Sequence, residues 1–489
     1  MNNIEQDKVL PESWIFCNLG DLIDPSKEKV HPKDIKKTRY IGLEHIEKDQ
    51  GVINGYSYSD TVKSTKSVFK KGDLLYGKLR PYLNKVWIAE FDGICSTDIL
   101  VYPIIKCLSS KYLYYRLLSS DFVRFSNNQV SGVQHPRVNV KKISGFIIEL
   151  APFPEQKRIV AKIEELFTKL DAGVDALKKA KILLKRYRQS VLKSAMEGKL
   201  TAKWREDNKD KIEPASELLK RILAERRAKW EKDQLAAFKA KGKKPKDDSW
   251  EKKYKEPEQP DTRDLPELPE GWVWTNIESI SFVNPKTNVS KFNDRLKVSF
   301  VPMKAMETET GMVDVTQAKN LGQVRRGYTS FLNKDLLFAK ITPCMENGKL
   351  AVVDNLKNGI GYGSTEFHVI RSMDSINPEF IFYFLVREHY RRDARQNMTG
   401  TAGQLRVPTD YIRFSIIPLP PESEQTEIIL EIDKILSNID YLNNQIDNYI
   451  TLSNLMKKSI LKKAFSGKLV NQDPKDGTAK GLLEKIRGK

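Results

Sequence analysis

The chain has 489 residues, of which 40% are apolar and 9% aromatic, enough to build real cores and to exclude global disorder. Its formal charge of +19 favours a polyanionic partner, and nucleic acid over a membrane, because no basic helix with an aromatic face stands out. Cys17, Cys95, Cys107 and Cys344 lack CxxC spacing and read as reduced thiols of a cytoplasmic protein. No apolar run nears the ~18 residues of a membrane span, and the start Met1-Asn2-Asn3-Ile4-Glu5 has no signal-peptide character.

Taken in chain order, residues 1–154 read as a first mixed α/β domain that opens with Leu10-Pro11-Glu12-Ser13-Trp14. Runs such as Val86 to Ala89 and Leu100 to Ile105 predict strands, and Lys111 to Phe125 predicts a helix. Residues 155–200 predict one long helix. Within 201–267, Glu213 to Phe238 is helix-forming, whereas Lys239 to Asp264 is charged, contains Pro245, Pro257 and Pro260, and reads as a mobile connector. Residues 268–423 form a second mixed domain, opening with Leu268-Pro269-Glu270-Gly271-Trp272 and containing a helical stretch from Glu379 to Ala394. A second long helix follows over 424–470, then a tail over 471–489. The tail's Ala479 to Ile486 echoes Ala215 to Ile222, as expected if the architecture were circular with pseudo-twofold symmetry.

The two halves are copies. Shifting Glu155 to Leu200 by 269 positions lands on Glu424 to Leu469 without a gap, and Glu-Gln, Asp171/Asp440 and Gly-Lys-Leu recur. Each helix carries a seven-residue apolar row: Ile163, Leu170, Leu177, Leu184 and Val191 in the first, and Ile432, Ile439, Ile446, Ser453 and Ile460 in the second. A companion row is expected at Ile159, Leu166, Gly173, Ala180 and Tyr187, and at Ile428, Ile435, Leu442, Tyr449 and Met456. Such a repeat specifies a coiled-coil seam, here between two helices of one chain. Antiparallel pairing is favoured, since it delivers the chain directly to the second domain. The fold class is therefore α+β: two tandem mixed domains separated by an antiparallel coiled coil.

No complete catalytic motif occurs. Gly348-Lys349 lacks the upstream glycine of a phosphate loop, and Asn284-Pro285-Lys286-Thr287 lacks the second proline and the aromatic of an amino-methyltransferase motif. Gly359-Ile360-Gly361-Tyr362-Gly363 reads as a glycine-rich hairpin rather than a cofactor loop. The five histidines show no metal-ligand spacing, and no cofactor is expected. The Glu-Gln pairs are expected to serve the starts of the long helices.

Two loops recur in both halves. The first is Lys78-Leu79-Arg80-Pro81, with Lys340-Ile341-Thr342-Pro343. The second is Gly132-Val133-Gln134-His135-Pro136-Arg137, with Gly400-Thr401-Ala402-Gly403-Gln404-Leu405-Arg406. Gln can pair bidentately with adenine, and Arg with guanine or phosphate. Lys78, Arg80, Gln134, His135, Arg137, Lys340, Thr342, Gln404 and Arg406 are thus candidate DNA contacts. The alternative is a set of solvated turns.

These features, in this order and duplicated, resemble the specificity subunit of type I restriction-modification systems. The likeness rests on a Gly-x-x-Gln-x-x-Arg-Val or similar loop ending each half (Gly132 to Arg137, Gly400 to Arg406), then Pro152-Phe153-Pro154-Glu155-Gln156 or Pro421-Glu422-Ser423-Glu424-Gln425, then a long helix. The resemblance implies two target recognition domains, each reading one half of a split double-stranded DNA sequence. It also implies spacer helices that dock two modification (methyltransferase) subunits acting on adenine, restriction subunits in the full complex, and no catalysis by the chain itself. The rival readings are a solitary DNA-modifying enzyme with degenerate motifs, or a coiled-coil scaffold without DNA affinity.

Overall fold

The computed structural model describes residues 9–488 apart from residues 133, 241, 243, 246 and 402. Met1–Glu5 and the loop positions Val133 and Ala402 therefore lie outside the described residues. The chain divides into two compact units, residues 1–180 with 445–489, and residues 181–444. Each combines one mixed α/β half with parts of both long helices.

In the first unit, Ile15–Asn18 pairs antiparallel with Ile147–Leu150, joining the start of the globular part to its end. A three-stranded sheet sets Leu74–Gly77 between Val86–Ile88 and Ile99–Tyr102, and a five-stranded sheet carries Arg39–Ile41 parallel to Gly93–Cys95. The second unit repeats the plan. Val273–Asn276 pairs with Ile416–Leu419, Leu336–Ala339 lies between Leu350–Val352 and Phe367–Ser372, and Lys297–Val301 runs parallel to Ile360–Gly363.

That last strand corrects the reading of its glycines. Ile360–Gly363 is not a hairpin turn but an interior strand, flanked by Lys297–Val301 and Thr329–Leu332. A Cβ on Gly361 would sit 2.0 Å from the Phe331 ring, so glycine is what lets that ring lie across the strand. The copy repeats the device, with Gly93 against Phe69 at 2.7 Å.

Two expected helices are each broken. Ser110–Leu118 and Ser120–Asn128 replace one helix over 111–125, and Pro378–Leu385 and Glu388–Gln396 replace one over 379–394. The breaks fall at Ser119 and Arg387, both extended in backbone, and neither is marked by glycine or proline. Ser119 serves both sides, since its hydroxyl accepts from Phe122 N as a cap and bonds back to Arg116 O. The apolar run Phe380 to Val386 is wholly buried in the core of the second unit. Among the described residues no helix is long and apolar enough to cross a membrane.

The long helices span Phe153–Met196 and Glu422–Ala464. In the first unit Ile159, Val160 and Ile163 pack with Leu461, Ala464 and Phe465, and Lys457 bonds Asp171 at 2.5 Å. In the second, Leu192, Ala195 and Met196 share a core with Ile428, Ile432, Leu436 and Ile439, and Arg188 pairs with Asp440 at 3.2 Å. The start of one helix thus meets the end of the other, so the pair runs antiparallel in each unit.

Ile163, Val191, Ile432, Ile439, Ile446 and Ser453 are buried along this pair, while Leu170, Leu177, Leu184 and Ile460 are half-buried. Half of the companion row departs from the expectation: Gly173, Tyr187, Leu442, Tyr449 and Met456 are exposed, whereas Ile159 and Ile428 are buried and Leu166, Ala180 and Ile435 are half-buried. The positions four residues after each first-row residue are buried or half-buried throughout. They are Phe167, Val174, Lys181, Arg188 and Ala195, and Leu436, Asn443, Ile450, Lys457 and Ala464. Several are polar, because long Lys and Arg stems cover apolar surface while their heads reach carboxylates. Apolar periodicity therefore finds the companion row at the starts of the helices and loses it toward their ends.

The Glu-Gln pair anchors each helix to its half rather than capping it locally. Glu155 accepts from Trp14 Nε1 at 2.9 Å and from Gln472 Nε2 at 2.7 Å. Glu424 accepts from Trp272 Nε1 at 2.8 Å, Thr201 Oγ1 at 2.6 Å and Arg205 Nη2 at 2.8 Å. Gln156 accepts from Ser109 N and donates to Ala151 O, and Gln425 does the same with Asn377 N and Pro420 O. Each helix ends on a glycine in the left-handed region, φ +65° at Gly198 and +69° at Gly467. A Cβ there would strike Pro269 or Pro11, the proline that opens the half it touches.

The connector and the tail dock alike. Ala215 N donates to Gly271 O in the second unit, and Ala479 N to Ser13 O in the first, both at 2.8 Å. Leu218 and Ile222 join one core, and Leu482 the other. The stretch after Ala215–Ala240, expected as a mobile connector, folds back along that helix: Trp250 stacks on Trp230 with centroids 5.9 Å apart, and Gln259 bonds Ser279.

Candidate nucleic-acid interface

In each unit the two recurring loops form a single construction. Lys78-Leu79-Arg80-Pro81 leaves the strand Leu74–Gly77, and Val130–Ser131 with Arg137–Val138 makes a short antiparallel hairpin around Gln134 and His135. Leu79 bridges to Arg137, Arg80 N donates to Pro136 O at 2.8 Å, and Val138 N donates to Lys78 O at 3.1 Å. The second unit repeats each link. Thr399–Thr401 and Gln404–Arg406 form the hairpin, Ile341 bridges to Arg406, Thr342 N donates to Leu405 O, and Val407 N donates to Lys340 O. Each loop is therefore a β-hairpin laced to a neighbouring turn. Their glycines have a backbone reason: Gly132 has φ +91°, and Gly400 at φ +130° lies where a Cβ would come within 2.9 Å of Gln404 O.

A third element completes the construction, and motif reading gave it no role. Asp98 accepts from Arg137 Nε and Nη2, both at 3.0 Å, and lies 4.0 Å from Lys78 Nζ. Glu366 accepts from Arg406 Nε at 2.9 Å and Nη2 at 2.8 Å. Backbone bonds fix the same carboxylate residues, since Lys78 N donates to Asp98 O and Lys340 N to Glu366 O, both at 2.9 Å. The signal was present in the chain, because Ser96-Thr97-Asp98 recurs as Ser364-Thr365-Glu366 with the acid kept in both. The Arg137 hydrogen bonds hold the Asp98 carboxyl below its ordinary range, and Arg406 does the same to Glu366.

Exposure divides the candidates. Arg80, Gln134, His135, Arg137 and Gln404 are exposed, whereas Lys78, Lys340, Thr342 and Arg406 are half-buried. Arg80 holds a left-handed backbone at φ +52° and heads the turn Pro81–Leu83. Asn284 is pinned: its amide donates to His368 Nδ1 at 3.0 Å, and its side-chain oxygen accepts from Val369 N. His368 has no counterpart in the first half, where Leu100 stands. Burial lowers its pKa, and Nε2 lies 2.8 Å from Val407 O behind the Arg406 hairpin. Among the described residues no group of three His, Cys, Asp or Glu side chains is placed to hold a metal ion.

Comparison with known proteins places this architecture. The family model described as the type I restriction modification DNA specificity domain matches twice, over residues 11–182 and 269–452. The EcoAI specificity subunit of Escherichia coli is 34% identical over 345 residues, covering 62% of this chain and 55% of that protein. The EcoKI specificity subunit of Escherichia coli K12 is 22% identical over 410 residues, covering 81% of this chain and 74% of that protein. The chain thus spans little more than half the length of the first of these relatives. In fold it is similar to the HsdS subunit from Thermoanaerobacter tengcongensis, with TM-score 0.55, 18% identity, and coverage of 95% of this chain and 99% of that one. A chain from a type I R-M system gives TM-score 0.66 at 18% identity, covering 94% and 99%. The chain belongs to the type I restriction-modification DNA specificity family.

Proposed function

We propose that the chain is the DNA sequence-recognition subunit of a type I restriction-modification complex, with each globular half reading one part of a bipartite double-stranded target. One observation carries this reading: the same hairpin-and-turn construction, with Gln and Arg presented from a rigid base, occurs once in each unit. Duplicated readers that differ in sequence suit two different half-sites, as a symmetric dimer suits a palindrome. The net charge of +19 supplies the sequence-independent attraction.

The chain is proposed to act in the cytoplasm without catalysis of its own, and to assemble with two modification subunits that methylate adenine and, in the restricting complex, with restriction subunits. Exposed apolar residues on the long helices support partner docking. Leu183 and Tyr187 are 61% and 53% exposed, and their repeat partners Leu452 and Met456 are 49% and 48% exposed. Their exposure at matching positions of both helices supports a protein contact there, and the duplication supplies two equivalent positions.

The test is a salt-dependent titration of the chain, with and without modification subunits, on DNA containing or lacking its methylated motif. Sequence-selective binding supports the reading. Turnover of DNA or cofactor by the isolated chain would instead favour a solitary enzyme, and absence of DNA affinity in the assembled complex would favour a scaffold.

A further inference from the structure

The two arginine–carboxylate pairs are more specific than a surface contact requires. Arg137 and Arg406 retain 48% and 39% of their side-chain exposure, and exposed ion pairs contribute little to stability. Backbone bonds between the hairpin and turn already close the construction in both units. What the carboxylate adds is orientation. It engages Nε and Nη2 together, one on each carboxylate oxygen, in both copies, which fixes a side chain that otherwise has several free torsions.

The remaining donors follow from counting. A guanidinium has five N–H groups, and the carboxylate takes two. On Arg137 three remain; on Arg406, Nη1 also donates to Gln404 O at 3.1 Å, leaving two. A pair of parallel N–H donors on a fixed plane matches the O6 and N7 acceptors of guanine in the major groove. Adenine offers N7 beside an N–H donor, and so mismatches. A phosphate can also take such a pair of donors, but lysines meet it without a fixed plane, whereas guanine requires the oriented pair. The acid is Asp in one half and Glu in the other, so its charge and bidentate geometry recur while its length does not.

We propose that Arg137 and Arg406 each read one guanine, and that Asp98 and Glu366 are the positioning residues that hold them in register. The inference rests on the DNA-reading function proposed above and adds to it the base class and the residues that orient the contact.

The test uses the chain assembled with its modification subunits and a library randomised across both half-sites. Arg137→Lys should reduce preference for guanine at one position of one half-site by about 5- to 100-fold, the range of a bidentate base contact, with the other half-site unchanged. Asp98→Asn should weaken the same position only, and Asp98→Glu should restore it. Arg406→Lys, Glu366→Gln and Glu366→Asp should reproduce the series in the other half-site. Three outcomes overturn the proposal. Uniform weakening with a shallower salt dependence would mean a phosphate contact. Loss of every position in a half-site would mean a clasp that only holds the hairpin. An unchanged motif would mean no contact at all. Failure of the parent complex to select any sequence would instead sink the DNA-reading function itself.

Discussion

The buried carboxylate that opens each long helix is expected to be unequal in worth between the halves. Glu424 has no exposed side-chain surface and accepts from a tryptophan N–H, a threonine hydroxyl and the Arg205 guanidinium, which is itself only 17% exposed. Glu424→Ala strands the Trp272 and Thr201 donors and leaves Arg205 only its bond to Gly198 O, and breaking a buried ion pair typically costs about 3–5 kcal/mol. Among the described residues Glu155 accepts only from neutral donors, Trp14 and Gln472, and Gln472 can turn to water. Glu155→Ala should therefore cost about 1–3 kcal/mol, the loss of one buried N–H partner. A protein of two units does not unfold in one step, so a single melting temperature would blur the difference. Hydrogen exchange of the native protein resolves it by segment. Glu424→Ala should reduce protection by roughly 2 to 4 decades around residues 197–205 and 268–276, at about 1.4 kcal/mol per decade. Glu155→Ala should act around residues 9–18 and 465–476 and by less. Equal small losses, or losses elsewhere, would refute the reasoning.

Gly361→Ala drives a Cβ into the Phe331 ring and should destabilise the second unit by about 1–3 kcal/mol in denaturant unfolding; an unchanged midpoint would contradict the close approach. Asp98 and Glu366 have lowered folded-state pKa values, so their stabilising contribution is present above the ordinary carboxylate range and is lost as pH falls through the lowered values. Carboxyl carbon shifts followed by NMR should place both midpoints below those of model peptides. His368 is held neutral by burial, so the unfolded chain binds its proton more readily and stability should rise with pH across that titration; a His368→Leu variant should lose this pH dependence. Inserting seven residues into each long helix, in register, lengthens each by about 10 Å, or roughly three base pairs of axial rise, and should lengthen the target's spacer accordingly. An unchanged spacer in an active complex would show that the helices do not set it.

Much of this architecture was legible in the sequence because it is written twice. The recurrence of Pro-x-x-Glu-Gln, Gly-Lys-Leu and the two loops located both halves and both long helices. The first-row residues Ile163, Val191, Ile432 and Ile439 are buried where the helices pair. Legibility failed where burial and polarity part company. Arg188 and Lys457 are half-buried and reach Asp440 and Asp171, while Tyr187, Leu442 and Tyr449 are exposed, so a pattern scored on apolar residues misses part of the seam. It failed again at Ser119 and Arg387, where a helix ends without glycine or proline. At the candidate interface, the loops were visible as separate motifs, but their union was not. Leu79–Arg137 and Ile341–Arg406 are bridges between segments some 60 residues apart, and Asp98 and Glu366 acquire a role only once the fold brings them beneath the hairpins.

The central claim, two readers of one split sequence, is tested most directly by base-resolution mapping of adenine methylation in cells expressing this chain with its modification subunits. The account expects one two-part motif with a fixed gap. Replacing the first globular half, residues 9–150, by that of another family member should change one part of the motif and leave the other and the gap intact. A continuous motif, a swap that alters both parts, or methylation without sequence preference would contradict it.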